Sequence, residues 1–196
     1  MLGAYLVALN PSAPSPSVED WSLTYESGEG VAIPFTMRGA KTIGSGPSGS
    51  VYKYDQLLTT NSSGVLAIPN LEWDTYTLSV AASTGYDIAS SCPSQPLVLA
   101  PNSALSPKLF LATHTANSLL IDVKNTAGGI ISGAEVRLTK GGSYDETVTA
   151  DACGQAFFSS LTNGNYAITA SSTGYQTYTS NAVNVTGTSY FSVTLN

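Results

Sequence analysis

The sequence is poor in charge. Only 10% of its 196 residues are Asp, Glu, Lys or Arg, against about 25% in ordinary soluble domains. Its seven cations are scattered and its formal net charge is −6. No basic stripe is available to neutralise phosphates, which argues against nucleic acid or an anionic membrane surface as a partner. Histidine is scarcer still. A Ser-His-Asp triad would have to use His114, which falls in a polar stretch with no nucleophile elbow beside it. No apolar run approaches the roughly 18 residues of a membrane helix, so no direct membrane insertion is expected. No stretch sustains the 3.6-residue period of an amphipathic helix.

Metal and acid–base chemistry are equally short of material. The two cysteines, Cys92 and Cys153, lack metal-site spacing. The 13 carboxylates are mostly isolated, the closest being Glu19–Asp20, Asp145–Glu146 and the Glu72/Asp74 pair. None has the density of a calcium loop. No catalytic residue, cofactor or metal is assigned, and the chain is read as a non-enzyme. Gly44-Ser45-Gly46-Pro47-Ser48-Gly49 fits GxGxxG, but a strand-like Val51-Tyr52-Lys53-Tyr54 follows where a helix is required. It reads as a hairpin loop rather than a phosphate cradle.

What the chain has is apolar residues (42%), glycine (18) and tyrosine (11), with Thr, Ser and Asn in place of charge. That mix suits strands and turns. It also has an internal repeat. Thr59–Tyr86 matches Val148–Tyr175: Gly64 with Gly154, Leu71 with Leu161 and Tyr76 with Tyr166, each pair 90 apart, then Tyr86 with Tyr175, 89 apart. Ile33–Gly39 matches Ala134–Lys140 upstream, and Pro96–Ala112 matches the C-terminal Asn181–Asn196. Gly64 and Gly154 close turns that need a positive φ. Val65–Ile68 and Gln155–Phe158 are predicted short strands, and Tyr76–Val80 and Tyr166–Ala170 alternate with period two. Short strands with a turn signal every 8–12 residues predict β-sandwiches.

The repeated pattern of turn glycine, strand, Leu-x-x-(Gly/Asp)-x-Tyr-x-(Leu/Ile)-x-(Val/Ala) and Gly-Tyr resembles the carboxypeptidase regulatory-like family, twice over residues 20–196. The resemblance implies an all-β chain of two tandem Greek-key, transthyretin-like sandwiches with almost no helix. Modules of this kind are typically non-catalytic extracellular spacers, adhesin stalks or accessory domains. FTMRGAKTIG and LEWDTYTL also look like modules attached to prepilin-type surface proteins. The expected organisation is an apolar strand and Pro/Ser linker over residues 1–19, a first sandwich over 20–113 with an insertion at 41–56, and a second over 114–196. The first module departs from the pattern at Asp74, where the second keeps Gly164.

Six further expectations follow. Cys92 and Cys153 are two free thiols, a single disulfide formed in an oxidising compartment, or an intermolecular link. A bond across their 61-residue separation would stabilise by about 4 kcal/mol. Trp73, flanked by Glu72 and Asp74, either covers the domain junction or the end of its own sandwich, or contacts a protein partner or a glycan. Leu2, Tyr5, Leu6, Val7 and Leu9 form an apolar strand that must be buried. It either folds back on its own sandwich or adds to the sheet of a neighbouring subunit. An isopeptide cross-link from Lys124 to Asn184 or Asn196 would need an acid just after the Tyr-x-Leu strand, where Val80-Ala81 and Ala170-Ser171 stand. The expected role is a structural or adhesive module of a cell-surface or pilus-like assembly, outside the cytoplasm and partnered by other protein subunits or surface proteins. The alternative is a carbohydrate-binding or accessory module of a secreted enzyme. Met1–Leu9 does not read as a signal peptide; the sequence reads as a mature segment or a piece of a longer chain.

Overall fold

The computed structural model describes residues 32–196 and the backbone of Leu2–Gly3. The chain divides into two compact units, Met1–Thr113 and His114–Asn196, each taken by itself below. The described residues are strands and turns, with one 3₁₀ turn at Ala82–Thr84.

In chain order the strands are β1 (Leu2–Gly3), β2 (Pro34–Gly39), β3 (Thr42–Gly46), β4 (Gly49–Tyr52), β5 (Asp55–Thr59), β6 (Asp74–Ser79), β7 (Tyr86–Cys92), β8 (Leu97–Leu99) and β9 (Lys108–Thr113) in the first unit. The second unit holds β10 (Ser118–Asn125), β11 (Glu135–Lys140), β12 (Tyr144–Thr149), β13 (Gln155–Phe158), β14 (Gly164–Ser171), β15 (Tyr178–Val185) and β16 (Thr188–Leu195).

The second unit is a Greek-key sandwich. One sheet has the order β12-β11-β14-β15 and the other β13-β10-β16. Strand β10 runs parallel to β16 over Ser118–Asn125 and antiparallel to β13. The period-two pattern of β10 sends Leu119, Ile121 and Val123 inward. They meet Val136 and Leu138 of β11, Phe158 of β13, Tyr166 and Ile168 of β14, and Val193 and Leu195 of β16 in one buried core.

The first unit repeats the four-stranded sheet as β5-β2-β6-β8. The register repeats as well: Tyr76 stands opposite Leu97 and Asp74 opposite Leu99, as Tyr166 stands opposite Val183 and Gly164 opposite Val185. Its core positions correspond one for one. Phe35 and Met37 occupy the places of Val136 and Leu138, Leu71 and Leu78 those of Leu161 and Ile168, and Leu109 and Leu111 those of Val193 and Leu195.

The units differ in three places. The insertion forms the hairpin β3–β4, closed where Gly46 pairs with Gly49. After Gly85-Tyr86 the first unit diverges: β7 joins β9 in the sheet β1-β9-β7, and only then does β8 join β6. Eleven residues lead from Tyr86 to Leu97 against eight from Tyr175 to Val183, and Pro93 and Pro96 lie among them. Proline has no N–H to donate to a ladder, which separates β7 from β8. One expectation is corrected. Val65–Ala67 lies outside any ladder and Ile68 makes only a single bridge. Its counterpart β13 is a strand because β10 ladders it.

Candidate functional site

The turn glycines sit in a motif that occurs three times among the described residues. Asn61 Oδ1 accepts from the backbone N–H of Ser63 and Val65, each at 2.9 Å. Asn125 Oδ1 accepts from Ala127 and Gly129, and Asp151 Oδ1 from Cys153 and Gln155. A short Asx side chain thus satisfies two donors that the ladder leaves over. The glycine of each turn takes the left-handed φ: Gly64 +75°, Gly128 +80° and Gly154 +73°. Gly154 is required twice over, because a Cβ there would lie 2.9 Å from the carbonyl oxygen of Val123.

The two repeat tyrosines anchor the loop before the central strand. Both are almost fully buried, at 1% exposure. The Tyr76 hydroxyl donates to the Glu72 carbonyl at 2.6 Å, and that of Tyr166 to the Thr162 carbonyl at 2.9 Å. Each ring takes a second tyrosine edge-on: Tyr54 on Tyr76 and Tyr144 on Tyr166, both at 5.6 Å between centroids and 86°. Burial, reinforced by the charge of Asp74, raises the Tyr76 phenol. Burial and then the hydrogen bond to Glu146 raise Tyr144.

A lysine caps each of these loops, Lys140 from the last position of β11 and Lys41 from two residues beyond β2. In the second unit Lys140 Nζ donates to the Asn163 carbonyl (2.6 Å) and to Thr162 Oγ1 (2.9 Å), with the Tyr166 ring 5.0 Å away. In the first unit Lys41 Nζ donates to the Trp73 carbonyl (2.5 Å) and to Glu72 Oε1 (3.0 Å), and stands 3.1 Å from the centroid of the Trp73 ring. Lys53 reaches Glu72 Oε2 at 2.5 Å. Lys41 and Lys53 face one another at the root of the β3–β4 hairpin, where Lys53 N–H bonds the Lys41 carbonyl. One carboxylate therefore ties down both legs of the hairpin. The hydrogen bonds from Lys53 and Lys41 hold the Glu72 carboxyl below its usual range.

The Asp74/Gly164 difference has a steric reason. Asp74 Oδ2 accepts from Lys41 N–H at 3.0 Å, and a Cβ on Gly39 would lie 2.5 Å from that oxygen. In the second unit the bulk is exchanged: Lys140 stands at the position of Gly39, and a Cβ on Gly164 would meet Lys140 Nζ at 2.9 Å. Each unit carries one glycine and one long or charged residue across the same pair of strands.

Trp73, Glu72 and Asp74 are brought together at one end of the first unit. Trp73 is 53% exposed, yet Lys41 stands over its ring, and a sugar contact gains no support from this arrangement. Tyr86 packs half-buried against the first core, whereas Tyr175 stays 37% exposed beyond Gly174. Leu2 and Gly3 pair with Leu111 and Phe110 of β9; Tyr5, Leu6, Val7 and Leu9 lie outside the described residues. Both cysteines are disulfide-bonded and neither is a free thiol. His114 begins the second unit. Among the described residues no three His, Cys, Asp or Glu groups converge as metal ligands, and no helix is long and apolar enough to cross a membrane. Lys124 pairs with Asp122 at 2.5 Å, while Asn184 is exposed on β15 in the other sheet.

Sequence reasoning missed the buried polar groups, among them Asp122. Asp122 points away from the hydrophobic core of the second unit and is nonetheless fully buried. Its Oδ2 takes Lys124 and the Tyr190 hydroxyl, the latter at 3.1 Å, while Oδ1 has no hydrogen-bond partner. Burial and the Asp122 charge push the Tyr190 phenol up to about 12. A lone Asp in an alternating strand gives no sign that its face is covered, so period two alone could not have found it.

Residues 119–196 match the model of the carboxypeptidase regulatory-like domain family. No curated protein matches the chain. Similar solved structures include the TIE protein of Bacillus anthracis, 12% identical with a TM-score of 0.34, where the match covers 84% of this chain and 34% of that one. They also include GBS52, a minor pilin of Streptococcus agalactiae, 13% identical over 99% of this chain and 94% of that one, TM-score 0.30. The shaft pilin SpaA of Lactobacillus rhamnosus GG is 11% identical over 100% and 96%, TM-score 0.30. Likeness at these scores carries no argument about role. The family match falls on the second unit, and the strand order found there is that of a two-sheet sandwich.

Proposed function

We propose that the chain is a non-catalytic structural module of an extracellular, cell-surface or pilus-like assembly, built from two tandem copies of one sandwich. The observation that carries this reading is the repetition of the same internal brace in both units. A buried tyrosine ties the loop before the central strand, a second tyrosine packs on its edge, and a lysine caps the loop carbonyls. The distinctive polar side chains of both copies are thus engaged in holding loops rather than left converging on a cavity. The bonded state of both cysteines supports an oxidising location, and the simplest pairing joins Cys92 to Cys153.

Its partners are other protein subunits. Leu2–Gly3 pair with β9 within the chain, and the apolar Leu2–Leu9 segment supplies the contact by exchanging onto the same edge of a neighbouring copy. Sedimentation of the intact chain against a form lacking residues 1–17 tests this. Concentration-dependent polymers lost on deletion are expected. A chain that stays monomeric at all concentrations, or that turns over a substrate, would overturn it. Non-reducing peptide mapping reads the disulfide, and a mixed intermolecular link would refute the Cys92–Cys153 pairing.

A further inference from the structure

Lys41 and Lys140 perform the same task with different materials. In the first unit the capping ammonium has a carboxylate partner, Glu72. In the second unit the corresponding position is Thr162, and Lys140 is held by Thr162, the Asn163 carbonyl and the Tyr166 ring, all neutral. Asn163 is followed by Gly164, the one Asn-Gly dipeptide in the sequence. Asn163 is exposed, and Gly164 takes a φ of +135°.

We propose that Asn163–Gly164 is a site of self-modification, in which Asn163 is converted to aspartate or isoaspartate with Lys140 as the positioning residue. The reacting amide is the peptide nitrogen of Gly164. Its own carbonyl is that of Asn163, and this oxygen accepts the 2.6 Å hydrogen bond from Lys140 Nζ. When the Gly164 nitrogen gives up its proton to solvent, negative charge spreads onto that oxygen, where a fixed ammonium stabilises it. The nitrogen then attacks Asn163 Cγ. A C–N bond forms, and the side-chain amide leaves as ammonia with a proton taken up from water. The product is a five-membered succinimide. Water opens it at either carbonyl, giving aspartate or isoaspartate at position 163. No oxidant, metal or enzyme is needed. Gly164 adds no side chain of its own to hinder the approach of Cγ to its nitrogen.

The product carries the charge that the second unit lacks. A carboxylate at 163 stands one residue beyond Thr162, the counterpart of Glu72, on the loop whose carbonyl Lys140 already holds, so the reaction adds an anion to a neutral cap.

The test is incubation of the intact folded chain at mildly alkaline pH in ¹⁸O-labelled water, followed by peptide mass spectrometry of the 160s. Incorporation of label at residue 163 is expected, faster as pH rises. Lys140→Gln leaves the Asn-Gly sequence and is expected to slow the reaction about tenfold, the weight of one charge-assisted hydrogen bond. Circular dichroism establishes that the variant remains folded. If it does not, Lys140→Arg takes its place and should retain the rapid rate. Label absent from the folded chain but present in a denatured sample would overturn the site. Label appearing at an equal rate with and without Lys140 would overturn the role of the lysine. A lasting loss of ammonia with residues 140 and 163 covalently joined would replace the proposal by a cross-link.

Discussion

Tyr166 shows how much of this fold rests on single side chains. Its ring fills the second core while its hydroxyl takes part in three hydrogen bonds around Thr162. Replacing it by Phe keeps the ring and removes the oxygen, leaving the Thr162 N–H without this acceptor. The expected loss is about 1 kcal/mol, read from the midpoint of urea unfolding, with a similar loss for Tyr76→Phe. Gly154 makes a different argument. Gly154→Ala must both hold a φ of +73° and push a methyl toward the Val123 carbonyl, and is expected to cost about 2 kcal/mol. Gly174→Ala faces a comparable φ, +88°, with open space around the new methyl, and should cost only the backbone share, about 1 kcal/mol. Equal losses in the two variants would remove the close approach from the explanation.

At the scale of elements, the β3–β4 hairpin is the clearest case. Two strands alone are marginal in water, and both legs here present exposed apolar residues, Ile43 and Val51. The hairpin stands because Glu72 binds Lys41 and Lys53 at its root. The Glu72 carboxyl is held below its ordinary value of 4.5 by those lysines. Its contribution is therefore fully present above pH 4.5 and is lost as pH falls through the depressed value. Hydrogen exchange over Thr42–Tyr52 should show protection that weakens on acidification, and weak protection at every pH in Glu72→Gln. Unchanged protection in that variant would show that the ladder suffices. The turns, the tyrosines and the alternating strands were legible in the sequence because they recur at fixed spacing. The braces were not. The capping lysines precede their tyrosines by 35 residues in one unit and 26 in the other, since the hairpin intervenes in the first, and no spacing rule connects them. The path of β7 was equally hidden, because its partner is chosen by the sheet it can reach rather than by its own alternation.

At the scale of the whole molecule, the second unit has a core assembled from its own strands, so residues 114–196 are expected to fold alone with a cooperative transition and a stability on the order of 5 kcal/mol. That fragment is also the place to read the Tyr190–Asp122 contact. An unfolded tyrosine titrates at 10.0, whereas partial burial of a ring that stays 53% exposed, together with the neighbouring Asp122 charge, raises Tyr190 to about 12 in the fold. The folded state thus keeps its proton after the unfolded state has lost it. The stabilisation is complete below pH 10 and drains away as pH rises from 10 toward about 12. Thermal melts across that range should fall more steeply for the fragment with Tyr190 than for Tyr190→Phe, which has no phenol to ionise. Phenolate absorbance should rise in the folded fragment only near the upper end of the range. Parallel melting curves for the two forms would mean that Tyr190 titrates as an ordinary surface tyrosine, and that Asp122 is held in place by Lys124 alone.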